Sequence, residues 1–257
     1  MPLQAVLFDL WETLIRDTPE RGTPRRAWRA ERVHAVLAAH GRDVELDALL
    51  AALDATSHAL TDLHDIGLDT DSRAGLFDDQ MAKATGRRAP AAALPELEAV
   101  ITVLNPDLAP GLAPHAIETL TALRALGLRT AIVSNAGVTT APHLRTLLDH
   151  HGLTPHFEAI LFSDELGVAK PDARIFRRAL AALACEASAA AFVGDSPLND
   201  VFGAQSAGIF AVQIGAKARD GIRPEARIDG LHELLPTLQA RGLLVTSRSL
   251  ERDSTGR

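Results

Sequence analysis

Gln4-Ala-Val-Leu-Phe8, ended by Asp9, is the stretch on which the fold turns. An apolar run of this length suits a strand covered on both faces, as in a parallel sheet. Similar runs recur at Thr130-Ala-Ile-Val133, Ala159-Ile-Leu-Phe162, Ala190-Ala-Phe-Val193 and Phe210-Ala-Val-Gln-Ile214. Between them lie helical patterns at Pro114–Leu126, Pro171–Ala184 and Pro197–Ala207, with Gly127 and Gly208 placed as C-caps. From residue 112 onward, helix and strand alternate, which predicts a parallel sheet with helices on its faces.

The first strand breaks this rhythm. The chain from residue 17 to residue 108 reads as helix at Pro24–Ala39, Glu45–Leu63, Ser72–Ala84 and Leu94–Leu104, interrupted at Gly41, Gly67 and Gly86. Pro106, Pro110 and Pro114 punctuate its return to the sheet. The expected fold is therefore α/β: a doubly wound, Rossmann-like parallel sheet formed by 1–16 and 109–245, with a helical insertion at 17–108. A polar tail follows at 246–257.

Composition narrows the function. Lys plus Arg number 26 and Asp plus Glu 33, a formal charge of −7, which argues against a general nucleic-acid or acidic-membrane binder. Hydrophobic residues at 47% and charged residues at 23% argue against wholesale disorder. The longest apolar runs, such as Ala179–Cys185, fall far short of a bilayer span, and no basic leader region marks the N-terminus. Cys185 stands alone, so neither an internal disulfide nor a cysteine metal cage can form. The expectation is a soluble cytoplasmic protein. Only Lys83, Lys170 and Lys217 are lysine among the basic residues, so each lysine carries added information.

Ligands gather at the carboxyl ends of parallel strands. The polar residues there are Asp9, Ser134 with Asn135, Ser163 with Asp164, and Asp195, followed shortly by Lys170 and Asp200. Singly, each reads as a strand terminator or helix cap; Asp195 and Asp200 also suit a helix N-cap and first turn. Together they place carboxylates, a hydroxyl and an ammonium on one rim.

The motifs on that rim resemble those of the haloacid dehalogenase-like hydrolase superfamily, in its branch with a helical cap inserted after the first strand. Val6-Leu-Phe-Asp-Leu-Trp-Glu-Thr-Leu14 is similar to the nucleophile motif, and Ile132-Val-Ser-Asn135 to the second motif. Gly167-Val-Ala-Lys-Pro-Asp172 is similar to the third, and Val193-Gly-Asp-Ser-Pro-Leu-Asn-Asp200 to the acidic fourth. The resemblance implies a phosphatase using Asp9 as nucleophile, through an aspartyl-phosphate that splits one hard step into two. It implies Mg²⁺ held by Asp9, Asp195 and the backbone carbonyl of Trp11, with Asp200 as an outer ligand or orienter. Lys170 would pair with Asp9 and phosphate oxygens, while Ser134, Asn135 and Thr13 would line the substrate.

One position departs from the family. Where its phosphatases carry a second aspartate, two residues after the nucleophile, this chain has Trp11. Tryptophan donates one N–H bond but cannot exchange a proton near neutral pH. General acid–base help is worth about 10²–10⁴ in rate, so the resemblance implies slow turnover, or good leaving groups, or a substitute. Glu12 is adjacent but reads as solvent-facing, and Asp17 is a hinge candidate. Two alternatives stay open: a metal-independent 2-haloacid dehalogenase, whose leaving halide needs no proton, and a non-catalytic metal- and phosphate-binding protein. A phosphonate-cleaving reading would need a cap lysine, and Lys83 sits in the context of an exposed helix end. Trp28 reads as packing rather than substrate stacking.

Overall fold

The computed structural model describes residues 2–244. The expected tail at 246–257 lies outside the described residues, as does residue 245 of the expected core segment. Strand β1 (Ala5–Phe8) leads through the two-residue β2 (Ile15–Arg16) into four helices: α1 (Pro19–Ala39), α2 (Leu46–Asp65), α3 (Arg73–Thr85) and α4 (Leu94–Thr102). The two-residue β3 (Gly111–Leu112) pairs antiparallel with β2, closing the insertion at its neck. The chain then alternates through α5 (Ala116–Ala125), β4 (Arg129–Ser134), α6 (Ala141–His150), β5 (Ala159–Phe162), α7 (Ser163–Leu166) and α8 (Ala173–Ala182). It ends with β6 (Ala190–Gly194), α9 (Gly203–Ser206), β7 (Phe210–Ile214), β8 (Ala226–Ile228) and α10 (Leu234–Ala240).

The large sheet has the order β5-β4-β1-β6-β7-β8, and every pairing in it is parallel. The chain leaves β1 toward β4 and β5 on one side, then returns to build β6, β7 and β8 on the other. That reversal places the carboxyl end of β1 at the crevice where α/β sheets bind ligands. Side chains of β1 alternate as strand geometry requires. Val6 and Phe8 join a core with α5, α6 and α10, whereas Ala5 and Leu7 join a second core with α8 and α9. Both faces are covered, which is why the strand carries no polar position to spare.

The inserted helices form a third cluster, including Ala30, Val33, Leu49, Phe77, Met81 and Leu97. Two details differ from the sequence expectation. Helix α1 begins at Pro19 and runs through Pro24, rather than beginning there. Pro19 at the first helical turn has no N–H to leave unsatisfied, so the helix starts five residues early and forgoes one hydrogen bond at Pro24. The pattern at Pro197–Ala207 is a π-helical turn (Pro197–Phe202) running into the short α9. Such wide turns are rare and cluster at functional sites. Strands β2, β3 and β8 are too short for period-two patterning to reveal.

Candidate active site

Four loops converge at the carboxyl end of β1. The Asp9 N–H donates to the Val193 carbonyl at 2.9 Å, carrying the sheet ladder one residue beyond the strand. This fixes the Asp9 carboxylate between β4 and β6. Lys170 arrives from the loop between α7 and α8. Its backbone N–H donates to Asn135 Oδ1 at 2.8 Å, while Asn135 Nδ2 donates to the Lys170 carbonyl at 2.9 Å. This reciprocal amide pair straps the lysine loop to the end of β4. The Lys170–Pro171 peptide bond is cis.

The Lys170 ammonium, almost wholly buried, donates to Asp9 Oδ1 and to Asp200 Oδ1, both at 2.6 Å. It also lies 5.2 Å from the centroid of the Phe192 ring, a favourable cation–π placement. Asp200 comes from the π turn, where its Oδ2 accepts the Ser196 N–H at 2.8 Å. A Cβ on Gly194 would stand 2.3 Å from Asp200 Cγ, so this carboxylate can lie over the strand end only because residue 194 is glycine. Asp195 follows and binds the ammonium of Lys217, from the loop after β7. Oxygens of Asp9, Asp195 and Asp200 all lie within 4.8 Å of one another.

Electrostatics follow from crowding. Burial above all pushes Asp9 up to about 7; Lys170 pulls it down, and Asp200 and Asp195 push it up again. Asp200 is raised for the same reasons, burial first. Burial works against the Lys170 ammonium, yet Asp200 and Asp9 outweigh it and hold this lysine above its ordinary value. Three carboxylates face two ammonium groups, so the cluster carries surplus negative charge in a place that penalises it. Hard oxygen donors so close, with that surplus, fit a small divalent cation.

The other rim residues divide. The Ser134 hydroxyl is buried and donates to the Asn135 carbonyl at 3.3 Å. Thr13 Oγ1 and Trp11 Nε1 are buried without a hydrogen-bond partner among the described residues. Glu12 adopts a left-handed φ of 57° and is exposed, its carboxylate accepting the Asp17 N–H at 3.3 Å. Asp17 itself pairs with Arg25. Asp164 accepts the Ala141 N–H at 2.9 Å at the start of α6, a structural duty. Lys83 is exposed and donates to Gln80 Oε1, and Arg32 lies 4.9 Å over the half-buried Trp28 ring.

The inserted helices are tied to this rim by a buried latch. Arg73 donates to the Ala136 carbonyl at 3.1 Å and the Gly137 carbonyl at 3.0 Å, and pairs with Asp69 at 2.9 Å. Asp69 also accepts from Ser163, whose hydroxyl accepts the Ala136 N–H at 2.8 Å, and it contacts His64 at 3.2 Å. Burial opposes the Asp69 charge, but His64, Arg73 and Ser163 outweigh it and hold this carboxyl below its usual value. Alongside, Ala169 N–H donates to the Gly67 carbonyl at 3.0 Å. Gly67 has φ +78°, and a Cβ there would meet Asp172 at 2.9 Å, so glycine is required for the approach.

A cleft of about 320 Å³ lies between α1, α2 and the loop after β4, with Trp11 and Asn135 among its walls. A roomier cavity of about 400 Å³ is bounded by residues 218–227 and Arg241, and none of the strand-end residues lines it. Of these two, only the first reaches the strand-end loops, through Trp11 and Asn135. Lys217, Asp69, Arg73 and Arg29 were not singled out as site residues by motif. Only Lys217 had a signal, the scarcity of lysine; arginine and aspartate are too common here to mark a position.

A haloacid dehalogenase-like hydrolase family model matches residues 3–208, and the chain belongs to that family. It is 42% identical over 113 residues to a phosphoserine phosphatase of Thermus thermophilus, covering 44% of this chain and 42% of the relative. The chain spans about half the length of the curated relatives it matches. Among solved structures it is similar to a HAD phosphatase from Thermococcus onnurineus, with TM-score 0.65, 22% identity, 95% of this chain and 100% of that one covered. It is nearly as similar to a 2-haloacid dehalogenase from Pseudomonas syringae, with TM-score 0.63, 23% identity, 93% and 99% covered. Such low identities establish the fold alone. No described helix is long and apolar enough to cross a membrane.

Proposed function

We propose that this chain is a phosphomonoester hydrolase working through Asp9, with residues 17–108 acting as a cap over the strand-end site. The observation that carries the reading is the buried ammonium of Lys170, shared at 2.6 Å between Asp9 and Asp200. A nucleophilic carboxylate attacking a phosphate dianion needs its negative charge opposed in place, before the substrate arrives. Lys170 supplies a fixed positive charge beside that carboxylate and leaves the second Asp9 oxygen for attack. The family's naming of phosphatases among relatives favours phosphorus over carbon.

Asp9, Asp195 and the Trp11 carbonyl would hold Mg²⁺, with Asp200 in support. When bound, the ion supplies neutralisation of charge on the nucleophile and on the transferring group. In the reaction an Asp9 oxygen forms a bond to phosphorus as the ester P–O bond breaks, and the electron pair leaves on the alcohol oxygen. Ser134 is placed to donate to the phosphoryl oxygens. Water then cleaves the aspartyl-phosphate, regenerating the carboxylate and releasing phosphate. Trp11 cannot protonate the departing oxygen, and Glu12 is turned away, so the proton comes from solvent. Substrates with acidic leaving groups are favoured.

The test is Trp11→Asp with an aryl phosphate and an alkyl phosphate as substrates. Restoring a proton donor should raise alkyl phosphate release by about tenfold or more, with a smaller gain on the aryl ester. No gain on either would remove the missing acid as the limiting feature. A second reading has one observation in its favour: Lys217 places an ammonium on Asp195, so the cluster has two internal cations. That suits metal-independent attack on the carbon of a 2-haloacid. Chloride release from 2-chloropropionate in EDTA, without phosphatase activity in Mg²⁺, would select it.

A further inference from the structure

The cleft above the strand ends holds a positive charge that no carboxylate among the described residues answers. Arg25, Arg29 and His64 line it from the helices, opposite Asn135, Thr139 and Trp11. Arg25 pairs with Asp17, and His64 with Asp69. Arg29 has only neutral acceptors, the Val103 carbonyl and Thr139 Oγ1, both at 3.2 Å. Its Nε is buried with no partner, and so is the indole N–H of Trp11. Burial lowers Arg29 to about 10, and Arg25 adds to the effect; no carboxylate opposes it. A guanidinium and an indole N–H can only donate. Orphaned buried donors around an open cavity are costly unless a ligand brings acceptors to them.

We propose that this cleft is a recognition subsite for one carboxylate on the leaving-group side of the substrate, bound by Arg29 and by the Trp11 indole N–H. The favoured substrate is then a small phosphomonoester that also carries a carboxylate. This rests on the hydrolase reading at Asp9 and adds the substrate class. One unanswered cation matches one singly charged group, and guanidinium is suited to the paired oxygens of a carboxylate. A volume of about 320 Å³ sits at the small end of ligand pockets, which span about 300–1,000 Å³. On this view Trp11 replaces an acid–base group with a binding group: the position is converted rather than lost.

Calorimetry with the Asp9→Asn protein, in Mg²⁺, separates binding from turnover. The probes are phosphoglycolate and ethyl phosphate, alike but for the carboxylate. Phosphoglycolate should bind about tenfold tighter or more, and Arg29→Gln should cut that preference to about twofold. Trp11→Phe, which keeps the ring and removes the donor, should cut it by about threefold. Arg29→Lys should keep part of it, and serves if the glutamine variant does not fold. Equal binding of the two probes, or a preference that survives Arg29→Gln, overturns the subsite. If the preference holds but wild-type protein hydrolyses neither ester, the phosphatase reading fails and the subsite stands. Hydrolysis of both at equal efficiency has the opposite meaning.

Discussion

Two neighbouring regions treat charge in opposite ways. Around Asp9 the buried charges are paired within the chain: Asp9 and Asp200 share Lys170, and Asp195 holds Lys217. In the cleft under the helices, among the described residues, Arg29 has no acidic partner and Trp11 Nε1 has no acceptor. The first arrangement holds its side chains in place through contacts within the chain. The second leaves polar groups unsatisfied until something enters. On the proposed function, groups needed in every turnover are held permanently, whereas recognition groups stay open for what they recognise.

The contrast can be broken most severely at Asp9. Asp9→Asn should lower phosphate release by about 10⁴-fold or more, with an unchanged circular-dichroism spectrum. Substantial residual turnover would place the nucleophile elsewhere. Next comes Lys170→Met, which strips two buried carboxylates of their ammonium. Urea unfolding should show a loss of about 3–5 kcal/mol, and a loss below about 1 kcal/mol would mean the pairing is not what holds these groups. Arg29→Met removes a buried charge that has no partner, and so should leave stability unchanged or raise it by about 1 kcal/mol. If it destabilises as Lys170→Met does, the two regions do not differ in the way described.

A pH series sharpens the same comparison. A carboxyl whose folded pKa stands above its unfolded value contributes stability below the unfolded pKa and loses it as pH rises toward the folded one. For Asp9 that window runs from 3.8 to about 7. Lys170, held above its ordinary 10.5, contributes throughout that window and loses its effect only at higher pH. In EDTA the melting midpoint should therefore fall by a few degrees between about pH 5 and pH 7.5, at about 2–4 °C per kcal/mol. Asp9→Asn should reduce the slope, leaving the part that belongs to Asp200, and an unchanged slope would assign it to another group. Asp69 runs the other way: held low, its stabilisation survives until the pH falls below its ordinary 3.8. The smallest effect belongs to Lys217→Met. Its ammonium is largely exposed, and the change should stay under about 1 kcal/mol.

Much of this was legible along the chain, for local reasons. Apolar runs such as Ala5–Phe8 and Ala190–Val193 have one comfortable place, the middle of a covered sheet. Glycines at 127 and 208 carry their capping chemistry in their own residue type, whereas Ser72, read as the first helical residue, is the N-cap of α3. The helical insertion showed through its breaks at Gly41, Gly67 and Gly86, though the early start of α1 at Pro19 did not. Asp9, Ser134, Lys170 and Asp200 could be singled out because each follows a strand, and strand ends in a parallel sheet share one edge.

By itself, then, the order of residues determined the alternation of strand and helix, the edge on which polar groups collect, and the place of Trp11 two residues after Asp9. These depend on neighbours a few positions apart. Only the folded chain decided that Lys217 would reach Asp195, that Arg73 and Asp69 would lock the helices to Ala136 and Gly137, and that Arg29 would face the cleft without a carboxylate. The reason is physical: a charge is paired or unpaired according to what lies within a few ångströms of it after burial, and separation along the chain places no bound on that distance.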